Sequence, residues 1–109
     1  TTSTSMDSVI SYANSANNDY SAPMRLYANT TFTITSDGKD ITKVIFTCNS
    51  GKSINGCKDG TVSLDAGASY TVESSGNIVT FTITGSTKKF ALKASEQYRI
   101  DALSVTYQN

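Results

Sequence analysis

From Met24 onward, apolar residues recur at every second position in short runs separated by turn-forming residues. A period of two places successive side chains on opposite sides of an extended backbone, so each run reads as a strand with one face toward a core. In residues 30–35, Phe32 and Ile34 alternate with Thr31, Thr33 and Thr35, which predicts one buried face and one hydroxyl-rich face. Ile41-Thr-Lys-Val-Ile-Phe-Thr-Cys48 is the strongest run, with Val44, Phe46 and Cys48 on one side and Lys43, Ile45 and Thr47 on the other. Further runs cover residues 25–27, 61–64, 69–73, 78–84, 88–93 and 98–107, with Val79, Phe81, Ile83, Phe90 and Leu92 facing inward. Asp37-Gly38, Asp65-Ala-Gly67, Ser75-Gly-Asn77 and Gly85-Ser-Thr87 supply the turns. The apolar parity changes between Ile100 and Leu103, which predicts a β-bulge near Asp101-Ala102.

No segment has a helical period. Residues 7–12 form one more strand candidate, and residues 13–23 read as a loop through Asn14, Asn17, Asn18 and Asp19. Seven or eight short strands with turns every eight to twelve residues predict an all-β fold, a two-sheet antiparallel β-sandwich of jelly-roll or immunoglobulin-like topology. Thr1-Thr-Ser-Thr-Ser5 has the composition of a linker end, leaving residues 6–109 as a single module. A chain of 109 residues has room for one core.

Cys48 and Cys57 flank a loop rich in Gly, Asn and Ser, and the expectation is a disulfide and with it an oxidising, extracellular location. The first residues lack a basic stretch followed by an apolar run, so the signal peptide of a secreted chain is expected to have been removed. No run approaches a membrane span. Net charge is zero, which argues against nucleic acid and anionic membrane as partners. The charge is nevertheless uneven: Lys39, Lys43, Lys52 and Lys58 stand against Asp40 alone, and Lys88, Lys89 and Lys93 form a second basic segment.

The run Met24-Arg-Leu-Tyr-Ala-Asn-Thr-Thr-Phe-Thr-Ile, then Ile41-Thr-Lys-Val-Ile-Phe-Thr-Cys, a Gly-Asn hairpin into Val79-Thr-Phe-Thr-Ile, and a closing Tyr-Arg-Ile-Asp-Ala-Leu-Ser-Val-Thr-Tyr together resemble a β-sandwich repeat of secreted gut-bacterial proteins. Similar modules sit beside pectate lyases and other glycan-degrading domains. The resemblance spans nearly the whole chain and implies a carbohydrate-binding module, including the pectin-binding type, attached to a catalytic domain. Its shared residues are strand cores and turns, so it assigns no binding residue.

The residues themselves point away from catalysis. There is no histidine, no low-pKa cysteine motif and no phosphate-binding glycine loop. Asp37 with Asp40, or Asp59 with Asp65, are the acid pairs that a glycosidase would need, and each reads more simply as turn chemistry. Asp37-Gly-Lys-Asp40 and Asn17-Asn-Asp19 offer oxygen to calcium without the spacing of a specific loop, and two cysteines do not complete a zinc site. No cofactor or metal is expected. Asn29-Thr-Thr31 matches a glycosylation sequon of the kind a Thr-rich strand produces by chance.

Two routes to a polysaccharide remain. Neutral sugars stack on aromatic rings, for which the chain offers no Trp and only Tyr12, Tyr20, Tyr27, Tyr70, Tyr98 and Tyr107. Acidic sugars are met by cations through charge-assisted hydrogen bonds. Lys39, Lys43, Lys89 and Lys93 are the leading candidates, followed by Lys52, Lys58, Lys88 and Arg99. If their strands share a sheet, these lysines line one shallow groove for an anionic polymer. The expectation is therefore a monomeric, secreted, non-catalytic module that binds plant cell-wall polysaccharide, de-esterified homogalacturonan in particular. A structural spacer or protein-contact domain, and a neutral-glycan binder using tyrosines, are the alternatives.

Overall fold

The computed structural model describes residues 9–14, 24–49 and 54–108. Nine strands occur among them: β1 (Ile10–Asn14), β2 (Met24–Leu26), β3 (Thr31–Ser36), β4 (Asp40–Cys48), β5 (Thr61–Leu64), β6 (Ser69–Ser75), β7 (Ile78–Thr84), β8 (Lys89–Lys93) and β9 (Tyr98–Gln108). They form two antiparallel sheets, one ordered β1-β3-β8-β5 and the other β2-β9-β4-β7-β6. The all-β two-sheet sandwich expected from the period-two runs is the fold. Consecutive strands alternate between the sheets except at β6–β7, which Gly76-Asn77 joins as a hairpin.

The burial pattern follows the sequence pattern strand by strand. Phe32 and Ile34 of β3, Val44, Phe46 and Cys48 of β4, Val79, Phe81 and Ile83 of β7, and Phe90 and Leu92 of β8 are buried, while the intervening residues face outward. Phe46 sits where the two inner faces meet. Its ring approaches Phe81 at 5.7 Å and Phe90 at 6.3 Å, centroid to centroid, and Phe32 and Tyr98 at 6.4 Å. Edge-to-face and tilted contacts of this kind add to the hydrophobic gain from burying the rings.

The expected bulge is present. Ala102 pairs with Thr47 and Ile100 with Cys48, leaving Asp101 as the extra residue, and this shift keeps both Ile100 and Leu103 in the core. A second shift lies between Ile41 and Lys43, where Thr42 donates its hydroxyl to the Thr106 carbonyl at 3.2 Å.

Three details depart from the sequence reading. The described residues hold nine strands where seven or eight are expected, and β1 extends through Asn14, paired with Phe32, where the sequence reading begins a loop at residue 13. Residues Asn55–Lys58 form a single helical turn, α1, where the sequence predicts no helix. The turn closes through Lys58 N–H to the Ile54 carbonyl and Asp59 N–H to the Asn55 carbonyl, both at 2.9 Å. It packs through Gly56, whose missing side chain admits the Glu96 carbonyl: a Cβ placed there would lie 2.1 Å from that oxygen. So short a helical segment leaves no periodicity to read, and its stability comes from this packing.

Candidate functional site

The outward face of the four-stranded sheet is laid out by the strand register. Thr35 of β3 lies between Ser11 of β1 and Lys89 of β8. Thr33 lies between Ala13 and Ala91, with Ser63 of β5 beyond Ala91, and Lys93 lies between Thr31 and Thr61. Adjacent strands are about 4.8 Å apart, so these side chains make a contiguous, small-residue, hydroxyl-rich surface. Lys89 and Lys93 are exposed on it, four residues and about 13 Å apart along β8 with Ala91 between them. No strand residue that faces outward here is a carboxylate, among the described residues.

Lys43 is not on that surface. It projects from β4, exposed between Thr106 of β9 and Thr82 of β7, on the outward face of the five-stranded sheet. The two sheets pack their inner faces together, so Lys43 and the Lys89–Lys93 row point in opposite directions. One groove holding all three, which required their strands to share a sheet, does not form.

The other candidates are scattered. Lys39 lies in the β3–β4 turn, where its carbonyl accepts the Ser36 hydroxyl. Lys58 is exposed at the end of α1. Lys52 falls outside the described residues, as do Asn17, Asn18, Asp19 and Tyr20. Lys88 is engaged by Asp40 at 3.2 Å. Hydrogen bonds from Ser86 and Lys88 hold the Asp40 carboxyl below its ordinary range. Asp65 accepts the Lys88 N–H at 2.8 Å, so both it and Asp40 serve turn structure.

The last candidate, Arg99, has a neighbour that sequence reasoning missed. Arg25 of β2 is its direct cross-strand partner, and both point outward from the five-stranded sheet. The alternation of β2 continues to Tyr27, which is 41% exposed. Nothing in the local sequence links residues 25 and 99; only the β2–β9 pairing does. The remaining tyrosines divide by burial: Tyr12 and Tyr98 are core, Tyr107 is half-buried, and Tyr70, 37% exposed at the sheet edge, leans its ring on Phe81 at 6.0 Å.

Cys48 and Cys57 are both fully buried and are thiols, not the disulfide expected from the sequence. They are adjacent nonetheless. A hydrogen bond from Cys57 lowers the pKa of Cys48, whereas burial pushes that of Cys57 well above the ordinary thiol range. The Tyr98 hydroxyl lies near them, buried with no hydrogen-bond partner, and burial raises its pKa as well. Among the described residues, no cluster of three or more His, Cys, Asp or Glu side chains is placed to hold a metal, and no helix is long and apolar enough to cross a membrane. Comparison with known proteins returned no matching family model, no matching curated protein and no matching solved structure, so any functional reading stands on the surfaces of this chain.

Proposed function

We propose that the domain is a secreted, non-catalytic binding module for acidic plant cell-wall polysaccharide, with de-esterified homogalacturonan as its ligand, carried beside a catalytic domain. The observation that carries this reading is the outward face of the four-stranded sheet, where Lys89 and Lys93 stand among Thr and Ser hydroxyls with no carboxylate on the same described strands. A face of short side chains between the two lysines leaves room for a polymer laid across it. Lysines meet uronate carboxylates and hydroxyls meet the sugar oxygens, and holding the attached enzyme near its substrate raises local concentration without chemistry of its own.

The test is electrophoresis through native gels containing homogalacturonan, highly esterified pectin, xylan, xyloglucan or β-glucan at two salt concentrations. Retardation by homogalacturonan alone is expected. It should be relieved by salt, because exposed charges are screened within about 8–10 Å at moderate ionic strength. The Lys89→Ala/Lys93→Ala variant should lose most of it, and Lys43→Ala, on the opposite face, little. No retardation in any gel would move the weight to a structural spacer; retardation by neutral glycans and indifferent to salt would favour tyrosine stacking.

Secretion carries its own prediction. In an oxidising compartment the adjacent thiols of Cys48 and Cys57 are expected to join, each losing a proton and an electron to a small-molecule disulfide that leaves as two thiols. Closing a loop of about ten residues should stabilise the fold by about 2–3 kcal/mol in the chain-entropy model. Mass spectrometry should show a loss of two hydrogens after refolding with oxidised glutathione, with Tm raised by about 10 °C over the reduced form. Unchanged mass under those conditions would remove the cysteines as support for secretion.

A further inference from the structure

The edge of a sheet can accept a further strand, and proteins that remain single blunt their edges with short strands, proline, lysine or bulges. Three of the four edge strands here are short: β2 has three residues, β5 four and β1 five. β6 is the exception. It runs for seven residues in unbroken register with β7, and it holds no proline, lysine or bulge. Every residue of it is exposed except Val72, which is half-buried. α1 comes near this strand but leaves it uncovered. Among the described residues, no strand pairs with its outer side.

The hairpin register fixes which backbone groups that edge offers. In an antiparallel ladder, pairs that exchange hydrogen bonds alternate with pairs that do not. Gly76-Asn77 is a two-residue turn, so the Ser75–Ile78 pair that closes it is hydrogen-bonded, and so are Glu73–Thr80, Thr71–Thr82 and Ser69–Thr84. Tyr70, Val72 and Ser74 therefore aim their N–H and C=O groups away from β7. None of these groups meets another backbone partner among the described residues. The side chains divide the other way, across the sheet. Tyr70 and Val72 lie opposite Ile83 and Phe81 on the inner face, where Tyr70 is left 37% exposed, while Thr71 and Glu73 point outward.

We infer that two copies of the chain join edge to edge through β6, antiparallel, with Val72 opposite Val72 of the second copy. This register makes hydrogen-bonded pairs of the residues whose backbone is open: Val72 with Val72, and Tyr70 with Ser74 in both directions. It is also self-complementary in its side chains. Ser69 meets Ser75, Val72 meets Val72, and the Glu73 carboxylate, the only charge on the strand, meets the Thr71 hydroxyl and not its own like. A second copy thus suits this edge without any change of shape, and the contact is isologous. One strand pair is a small interface, so the dimer forms reversibly with concentration. Because both Val72 side chains share a face, the two-fold axis stands perpendicular to the joined sheet. The two four-stranded sheets then lie on the same side of it, and both Lys89–Lys93 faces point the same way. Two such faces can grip one polymer with more than the affinity of either. That bivalency rests on the polysaccharide reading above; the dimer does not.

The experiment is sedimentation equilibrium of the 109-residue chain from about 10 μM to about 1 mM, with amide hydrogen exchange followed by NMR at both ends of the range. A monomer–dimer equilibrium is expected, and exchange at Tyr70, Val72 and Ser74 should slow severalfold at the higher concentration. Ser74→Pro removes a donor aimed at the open edge and none from the β7 ladder, and should weaken the dimer roughly tenfold or more. Thr71→Glu sets acid against Glu73 of the second copy and should weaken it roughly fivefold; Thr71→Lys should strengthen it by a similar factor. Thr71 is exposed, so its variants test the contact even where Ser74→Pro unfolds the hairpin. A monomer throughout the range overturns the inference and leaves the edge to a strand of a different protein. A dimer that a folded Ser74→Pro keeps at full strength, or that both Thr71 variants affect alike, also overturns it, since another surface or register would then join the copies. Dimerisation without retardation by homogalacturonan keeps the dimer and removes the polysaccharide; retardation of a chain that stays monomeric does the reverse.

Discussion

Phe46→Ala is expected to destabilise the domain by about 3–5 kcal/mol, the cost of removing a fully buried aromatic ring and leaving a cavity. The effect should lie at the upper end because the ring belongs to both sheets. It faces Phe81 and Tyr98 within its own sheet and Phe32 and Phe90 across the core, so no single strand can shift to fill the space. β4 also lies between β9 and β7, where any relaxation disturbs two ladders. Urea unfolding should show a lower midpoint with little change in slope, the mark of lost stability without a change in the surface exposed. Phe46→Leu retains part of the apolar volume and should cost about half as much. A loss below about 1 kcal/mol for the alanine variant would mean that the ring is not the junction of the two sheets.

Gly56→Ala should be nearly as damaging, about 3 kcal/mol or more, for the opposite physical reason. The added methyl would lie 2.1 Å from the Glu96 oxygen and 2.9 Å from its carbonyl carbon, both backbone atoms that no side-chain rotation can move. Either α1 lifts away or the β8–β9 connection does. Both movements break the link that Ser95 makes to this turn, by N–H to the Gly56 carbonyl at 3.3 Å and by hydroxyl to the Asn55 carbonyl at 3.2 Å. Displacing α1 also carries Cys57 away from Cys48, so the variant should form the disulfide more slowly than the parent chain. Gly76→Ala is the control. It sits in the β6–β7 hairpin with φ of 60° and nothing within 4 Å, so only the cost of a left-handed backbone, about 1 kcal/mol, is expected. Thermal unfolding of the two variants separates the cases. Equal stabilities would show that α1 is not seated against the β8–β9 connection.

How far each feature can be read from the sequence tracks the range over which it is specified. Lys89 and Lys93 can be placed on one outward face because Phe90 and Leu92, their neighbours in the chain, declare the inward one. The bulge at Asp101 is legible for the same reason, as a break in alternation within a few residues. Whether Lys43 joins those lysines cannot be read, since its strand and theirs alternate in the same way and only their sheet membership differs. The sequence rightly makes Cys48 and Cys57 neighbours, but spacing carries no information on whether their sulfurs are bonded. Arg25 escapes notice because it is a lone cation in its segment and becomes significant only beside Arg99, 74 positions later.

By itself, then, the sequence determined that this is an all-β chain, where most of its strands run, and which side of each is apolar. Those properties are local: a pleated backbone turns every second side chain the same way, and Gly, Asn and Asp mark where it reverses. Only the tertiary structure decided the strand order, the division of cations between two opposite faces, the seating of α1 on Glu96 and the meeting of two arginines at one sheet edge. Those depend on which strands pair across long stretches of chain. That choice is made by the fit of the buried faces as a whole, and the outward residues are carried wherever it takes them.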